Sequence, residues 1–135
     1  MNGPLPSTRA FLADLPALPT ESKVRFLGCV RTYNVHTGHL ILEHNYPRRK
    51  ASQEPPSVSV DINALLETVT SEELRVGAWV NVLGYVRRPA PAALASEVLY
   101  VEALMLFPAG PVALGEYERI LHESLEVERR RRGTG

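Results

Sequence analysis

An all-β barrel with appended helices is the fold class that this sequence predicts. Three observations point to it. Five strand-length segments between Lys23 and Phe107 alternate or run apolar. The first of them carries a glycine, Gly28, at its middle. Helical patterning stands in two places, between the third and fourth strands and after the fifth.

Residues 1–21 read as an arm laid on the domain. Pro4, Pro6, Pro16 and Pro19 punctuate it. Between them Ser7 to Leu15 predicts a short helix, with Ser7 as N-cap and Phe11, Leu12 and Leu15 on one face. Pro16 should end it, because proline disfavours helical geometry at the residue before it.

Residues 22–110 read as the barrel. From Lys23 to Tyr33, Val24, Phe26, Gly28 and Val30 alternate against Arg25, Leu27, Cys29 and Arg31, so a long strand is expected. Gly28 should mark a bulge or sharp coil where that strand changes partners. Asn34 to Gly38 is a turn, and His39 to His44 returns as the second strand. Pro47 to Pro56 is a polar loop. Ser57 to Ile62 is a short third strand. Asn63 to Leu74 is expected as a helix, with Leu65, Leu66 and Val69 apolar and Gly77 closing the connection. Ala78 to Val86 is the fourth strand, Pro89 to Ser96 a mobile loop, and Val98 to Phe107 the fifth strand. Phe26, Val30, Val60, Val80, Val82 and Val101 are the expected core.

Residues 111–135 read as a helix and tail. The helix should run from Val112 to Arg130, with an apolar stripe of Leu114, Tyr117, Leu121 and Leu125 widened by Ile120 and Val112. Arg129 to Arg132 at its end suit the helix macrodipole. A closed barrel leaves little core for an appended helix to cover. The stripe should pack on the barrel's outside or on a partner's helix, and Leu114, Tyr117, Leu121 and Leu125 are the candidate partner-binding residues.

Five strands, a helix after the third and a first strand able to pair twice match the OB-fold, a partly open Greek-key barrel. An SH3-like barrel is the alternative, but it has no natural place for a helix at 63–74.

Composition bounds the function. At 135 residues, 44% hydrophobic and 22% charged, the chain suits one globular domain and not a disordered or fibrous class. Lys+Arg and Asp+Glu both number 15, so any nucleic-acid contact must come from a local patch or a partner. The single cysteine, Cys29, excludes an intrachain disulfide and a cysteine-cluster zinc site, and reads as a buried structural thiol in a reducing compartment. No signal peptide and no membrane span are expected.

No catalytic constellation is visible, so neither an enzyme nor a cofactor is expected. His36, His39 and His44 surround the first hairpin without metal-ligand spacing and read as solvent-exposed. Asp61 and Glu43 are placed to face each other across strands. The basic residues point elsewhere. Arg25, Arg31, Arg48, Arg87 and Arg88 fall on strands and loops that bind oligonucleotides in OB barrels, and Arg49 and Lys50 adjoin them. Tyr33, His39, Tyr46 and Tyr85 lie nearby, and rings of this kind stack on bases. Arg25, Arg31, Tyr33, Arg48, Arg87 and Arg88 are therefore the candidate nucleic-acid site.

Two stretches, Lys23-Val-Arg-Phe-Leu-Gly-Cys-Val30 and Trp79-Val-Asn-Val-Leu-Gly-Tyr-Val86, with Leu15-Pro-Ala-Leu-Pro19 before them, resemble the fungal Ten-one (Ten1) family. That family supplies the small subunit of the CST telomere-capping complex. The resemblance runs from about Leu5 to the terminal helix. It implies a non-enzymatic OB-fold protein that heterodimerises with the Stn-one (Stn1) subunit. It implies nuclear residence at telomeres, protection of telomeric single-stranded DNA, and regulation of fill-in by DNA polymerase alpha–primase. A stand-alone single-strand binder and a purely structural adaptor are the rival readings.

Overall fold

The alternation that begins at Val24 produces one twelve-residue strand, Lys23–Asn34. The computed structural model describes residues 6–89, 99–111 and 113–134. Among these lie six strands: β1 (Thr8–Arg9), β2 (Lys23–Asn34), β3 (His39–Glu43), β4 (Ser57–Asp61), β5 (Trp79–Arg87) and β6 (Tyr100–Pro108). One helix, α1 (Leu114–Thr134), follows. Val98, Val112 and most of the loop expected at Pro89–Ser96 lie outside the described residues. No helix among the described residues is long and apolar enough to cross a membrane.

The strand order is β1-β2-β3-β4-β6-β5, and β5 returns to pair with β2, which closes the barrel. All neighbours are antiparallel except β1 on β2 and β4 beside β6. This is the Greek-key closure of an OB-fold. The six residues expected in the core are all buried, and Leu40, Leu42, Ile62 and Val86 join them. Each such side chain contributes roughly 1.5–3 kcal/mol through burial.

β2 changes partners where expected. It pairs with β5 from Lys23 to Cys29 and with β3 from Cys29 to Asn34. The register shift falls between Val30 and Thr32, however, and not at Gly28. Gly28 is there for space: a Cβ on it would stand 2.9 Å from Leu42 Cβ and 3.4 Å from Leu12 Cδ1.

The structure corrects both short helices. The N-terminal one is replaced by β1 and a six-residue 3-10 helix, Leu12–Ala17, with Pro16 inside it and no side-chain cap. The cause lies in β2. Its edge at Val24–Arg25 is not covered by β3, so Thr8 and Arg9 pair there in parallel. The connecting helix at 63–74 shrinks to a 3-10 turn, Asn63–Leu65. Side chains beyond it take the backbone groups that a helix needs: Thr70 N donates to Glu73 Oε1 at 2.8 Å, and Glu72 N to Thr70 Oγ1 at 3.2 Å. The arm packs the barrel instead, with Ala10, Leu12 and Leu15 in the core.

At the junction of arm and barrel, Glu21 holds the left-handed backbone region, φ 77°. Hydrogen bonds from Glu21 N to Val86 O and from Val86 N to Ser22 O fix it there.

Candidate nucleic-acid interface and helix surface

Alternation along β3 and β4 sends Leu40, Leu42, Val58 and Val60 inward and leaves His39, Ile41, Ser59 and Asp61 on the outer face. Register extends this face sideways, from His39 to Asp61 to Glu102 to Tyr85. His39 Nδ1 is 2.8 Å from Ser59 Oγ, and its Nε2 is 3.9 Å from Asp61 Oδ2. The His39 and Tyr100 rings lie 5.8 Å apart. At the hairpin end a groove of about 590 Å³ opens, lined by Tyr33, His36, His39, Ile41 and Ser59 among others. Asp61 and Glu43 do not face each other; Asp61 opposes His39, and Glu43 opposes Ser57.

The candidate arginines do not converge on this groove. Arg88 donates to Pro16 O and Leu18 O, both at 2.9 Å, and to Thr20 Oγ1 at 3.0 Å, so it clamps the arm. Arg87 is paired with Glu102 and Glu21 and lies over the Tyr85 ring at 5.1 Å. Those carboxylates, Glu102 first, raise its pKa above the ordinary arginine value. Arg31 stands 3.8 Å from both Glu43 and Glu54. Arg48 lines a different cavity, about 280 Å³, with Cys29, His44, Trp79, Leu114 and Glu118. Arg25 lies near Tyr117 of α1, whose hydroxyl burial pushes up in pKa and whose neighbours Arg9 and Arg25 pull back. Tyr33 packs at the margin of the core and lines the groove.

A second buried cluster lies outside the barrel core. Phe11, Leu27 and Leu121 are buried but belong to the exterior of the barrel. Phe11 stacks on Tyr46 at 4.4 Å and meets Tyr117 edge-on at 6.4 Å. His44 packs edge-on against Trp79 at 5.4 Å. Contacts of this geometry contribute about 0.5–1.5 kcal/mol each beyond burial. His44 was expected to be exposed, yet it is 2% exposed, and Tyr46, expected under bases, belongs to this cluster. Cys29 is half-buried, not fully buried, and desolvation followed by the charge of Glu43 raises its thiol pKa.

The helix stripe divides accordingly. Leu121 is 1% exposed and Tyr117 rests on Phe11 and His44, so both are occupied within the chain. Leu114 and Leu125 are half-buried. The apolar residues that α1 leaves uncovered are Ile120, 47% exposed, and Val127, 52% exposed, seven positions apart on one face. Sequence reasoning used Ile120 only to widen the stripe and missed Val127; their i, i+7 spacing was the available signal. It also missed Tyr100 and Glu118.

A family model described as telomere capping, CST complex subunit (Ten1) matches residues 1–122. The structure resembles a chain of the S. pombe Stn1–Ten1 complex, with TM-score 0.69 and 22% identity over 92% of this chain and 96% of that one. It also resembles S. pombe telomere capping protein Ten1, with TM-score 0.65 and 23% identity over 90% and 99%. An OBody bound to hen egg-white lysozyme shares the fold at TM-score 0.52 and 17% identity, over 79% and 98%. No curated protein matches by sequence.

Proposed function

Because the chain belongs to the Ten1 family of telomere-capping CST complex subunits, we propose that it is a non-catalytic OB-fold subunit that works by pairing. Its partner is an OB-fold protein of the Stn1 kind. Together they hold telomeric single-stranded DNA in the nucleus and regulate fill-in by DNA polymerase alpha–primase. The observation that carries this reading is the uncovered apolar face of α1 at Ile120 and Val127. Tyr117, one turn before Ile120, and Leu121 beside it hold the helix on the barrel, with half-buried Leu114 and Leu125 farther round the same side. A helix fixed on one face and apolar on another suits a second helix.

Co-expression with the candidate partner and pull-down tests this. An Ile120→Glu/Val127→Glu variant should keep its circular dichroism spectrum, since neither residue is in the core, and lose the partner. Capture at native affinity by the folded variant would overturn the assignment of this face.

A further inference from the structure

We propose that Ser52, at the tip of the loop between β3 and β4, is a phosphorylation site for a protein kinase that selects basic substrates, and that the phosphate cancels the loop's positive charge. The site itself stands on the loop alone. Its effect on strand binding rests on the reading of the chain as a single-strand-binding subunit.

The loop reads Arg48-Arg49-Lys50-Ala51-Ser52, so cations stand two, three and four residues before a hydroxyl. Kinases that read basic substrates carry carboxylates beside the catalytic cleft, and these take such cations when the chain passes through extended. Every residue from Pro47 to Glu54 is exposed, and none belongs to the core. Ala51 and Ser52 are the central residues of a turn that Gln53 N closes by donating to Lys50 O at 2.8 Å. The other ties are long: Lys50 N to Gln53 Oε1 and Arg49 Nη1 to Glu54 O, both 3.3 Å, and Arg49 N to Asn45 Oδ1, 3.2 Å. The Ser52 hydroxyl has no hydrogen-bond partner among the described residues. Such a segment opens without unfolding the barrel. Arg131-Arg132-Gly133-Thr134 repeats the charge pattern, but it lies within α1, where the backbone is held out of the extended form.

The loop's cations are among those the fold leaves unspent. Arg31 and Arg87 are paired with carboxylates, and Arg88 is taken by the arm. Arg48, Arg49 and Lys50 have no carboxylate partner among the described residues; Glu54, the loop's one acid, faces Arg31. Three cations against that one carboxylate leave the loop at +2. In the transfer, the γ-phosphorus of ATP bonds to Ser52 Oγ and its bond to the bridging oxygen breaks. ADP leaves with that electron pair, and the hydroxyl proton passes to the kinase's carboxylate base. The phosphoserine adds about −1.5 to −2 at pH 7 and brings the loop near neutrality. Arg49 has only to release the Glu54 carbonyl to hold two phosphate oxygens in its planar fork.

The test treats the full chain, alone and with its co-purified OB partner, with the catalytic subunit of cyclic-AMP-dependent protein kinase and γ-labelled ATP, and maps the product by mass spectrometry. Label should enter the folded chain at Ser52. Ser52→Ala should abolish it, and Arg49→Ala should slow it about tenfold or more. The phosphorus NMR resonance should titrate at lower pH than in the urea-unfolded phosphoprotein, because the neighbouring cations favour the dianion. The phosphorylated complex should bind a fluorescein-labelled twelve-nucleotide single strand with a salt slope shallower by about 0.7 or more, the value of one phosphate contact. Label on Thr134 instead, label undiminished in Ser52→Ala, or label that enters only the unfolded chain would overturn the site. Equal titration midpoints in the folded and unfolded phosphoprotein would overturn the capture by Arg49. An unchanged slope after phosphorylation at Ser52 would overturn the charge switch and leave the single-strand reading standing. No strand binding by the unmodified protein, alone or in complex, would overturn that reading and the switch with it, and leave the phosphorylation site standing.

Discussion

His44 Nε2 and Glu118 Oε2 meet at 2.8 Å across 74 residues of chain, with His44 2% and Glu118 8% exposed. This contact joins the end of β3 to α1 and orients the helix whose other face we assign to the partner. Removing Glu118 leaves the buried imidazole N–H without its acceptor, which typically costs about 1–3 kcal/mol. Glu118→Ala should therefore lower the denaturant midpoint strongly. Glu118→Gln keeps an acceptor for the imidazole N–H and should lose much less. A native midpoint for Glu118→Ala would show that the pair contributes nothing.

Arg88 is a clamp, with three acceptors between Pro16 and Thr20. Hydrogen bonds from charged donors contribute about 1.5–3 kcal/mol each at most, and these share one half-buried guanidinium. Arg88→Ala should cost about 2 kcal/mol and raise protease cleavage in the arm. Arg88→Lys should not restore it, because an ammonium lacks the planar fork. A native cleavage pattern in either variant would contradict the clamp.

Phe26 lies at the centre of the barrel, 1% exposed. Phe26→Ala should cost about 3–5 kcal/mol by chemical denaturation, through lost transfer energy and the cavity left behind. An unchanged midpoint would show that the β2 phase is wrong.

Cys29 tests the second cavity. Burial and Glu43 hold its thiol pKa above the ordinary value, so at any pH near 8 less thiolate is present than for a free cysteine. Alkylation by iodoacetamide should be slower than in the unfolded chain, and its pH midpoint should be higher. The linkage has the same sign. The folded state holds the proton more tightly, so stability is full below the unfolded thiol pKa and declines as pH rises toward the folded one. Glu43→Gln should lower the alkylation midpoint; a rise would contradict the assigned cause.

Much of the barrel was legible because a strand's side-chain period is a covalent property of the strand itself. Val24, Phe26 and Val30, or Val80 and Val82, declare their inward face without reference to the rest of the chain. The two short helices were not legible. Asn63–Leu74 has helical spacing, but Thr70, Glu72 and Glu73 satisfy one another locally. Ser7–Leu15 has a helical face, but the open edge of β2 recruits Thr8 and Arg9 into the sheet.

By itself, then, the sequence determined the five barrel strands, the double pairing of β2, the barrel's inward-facing residues and the presence of a terminal helix, all of which follow from patterning within a segment. Only the tertiary structure decided which arginines are spent, which face of α1 is covered, and where the rings gather. Those outcomes depend on partners that arrive from far away in the chain. Arg88 finds its acceptors up to 72 residues back, Glu118 finds His44, and His39 meets Tyr100 only because β4 and β6 pair in parallel. An arginine in a sequence is a charge on a flexible stem. Whether it faces a phosphate or a carboxylate is settled by what the fold brings within hydrogen-bond distance.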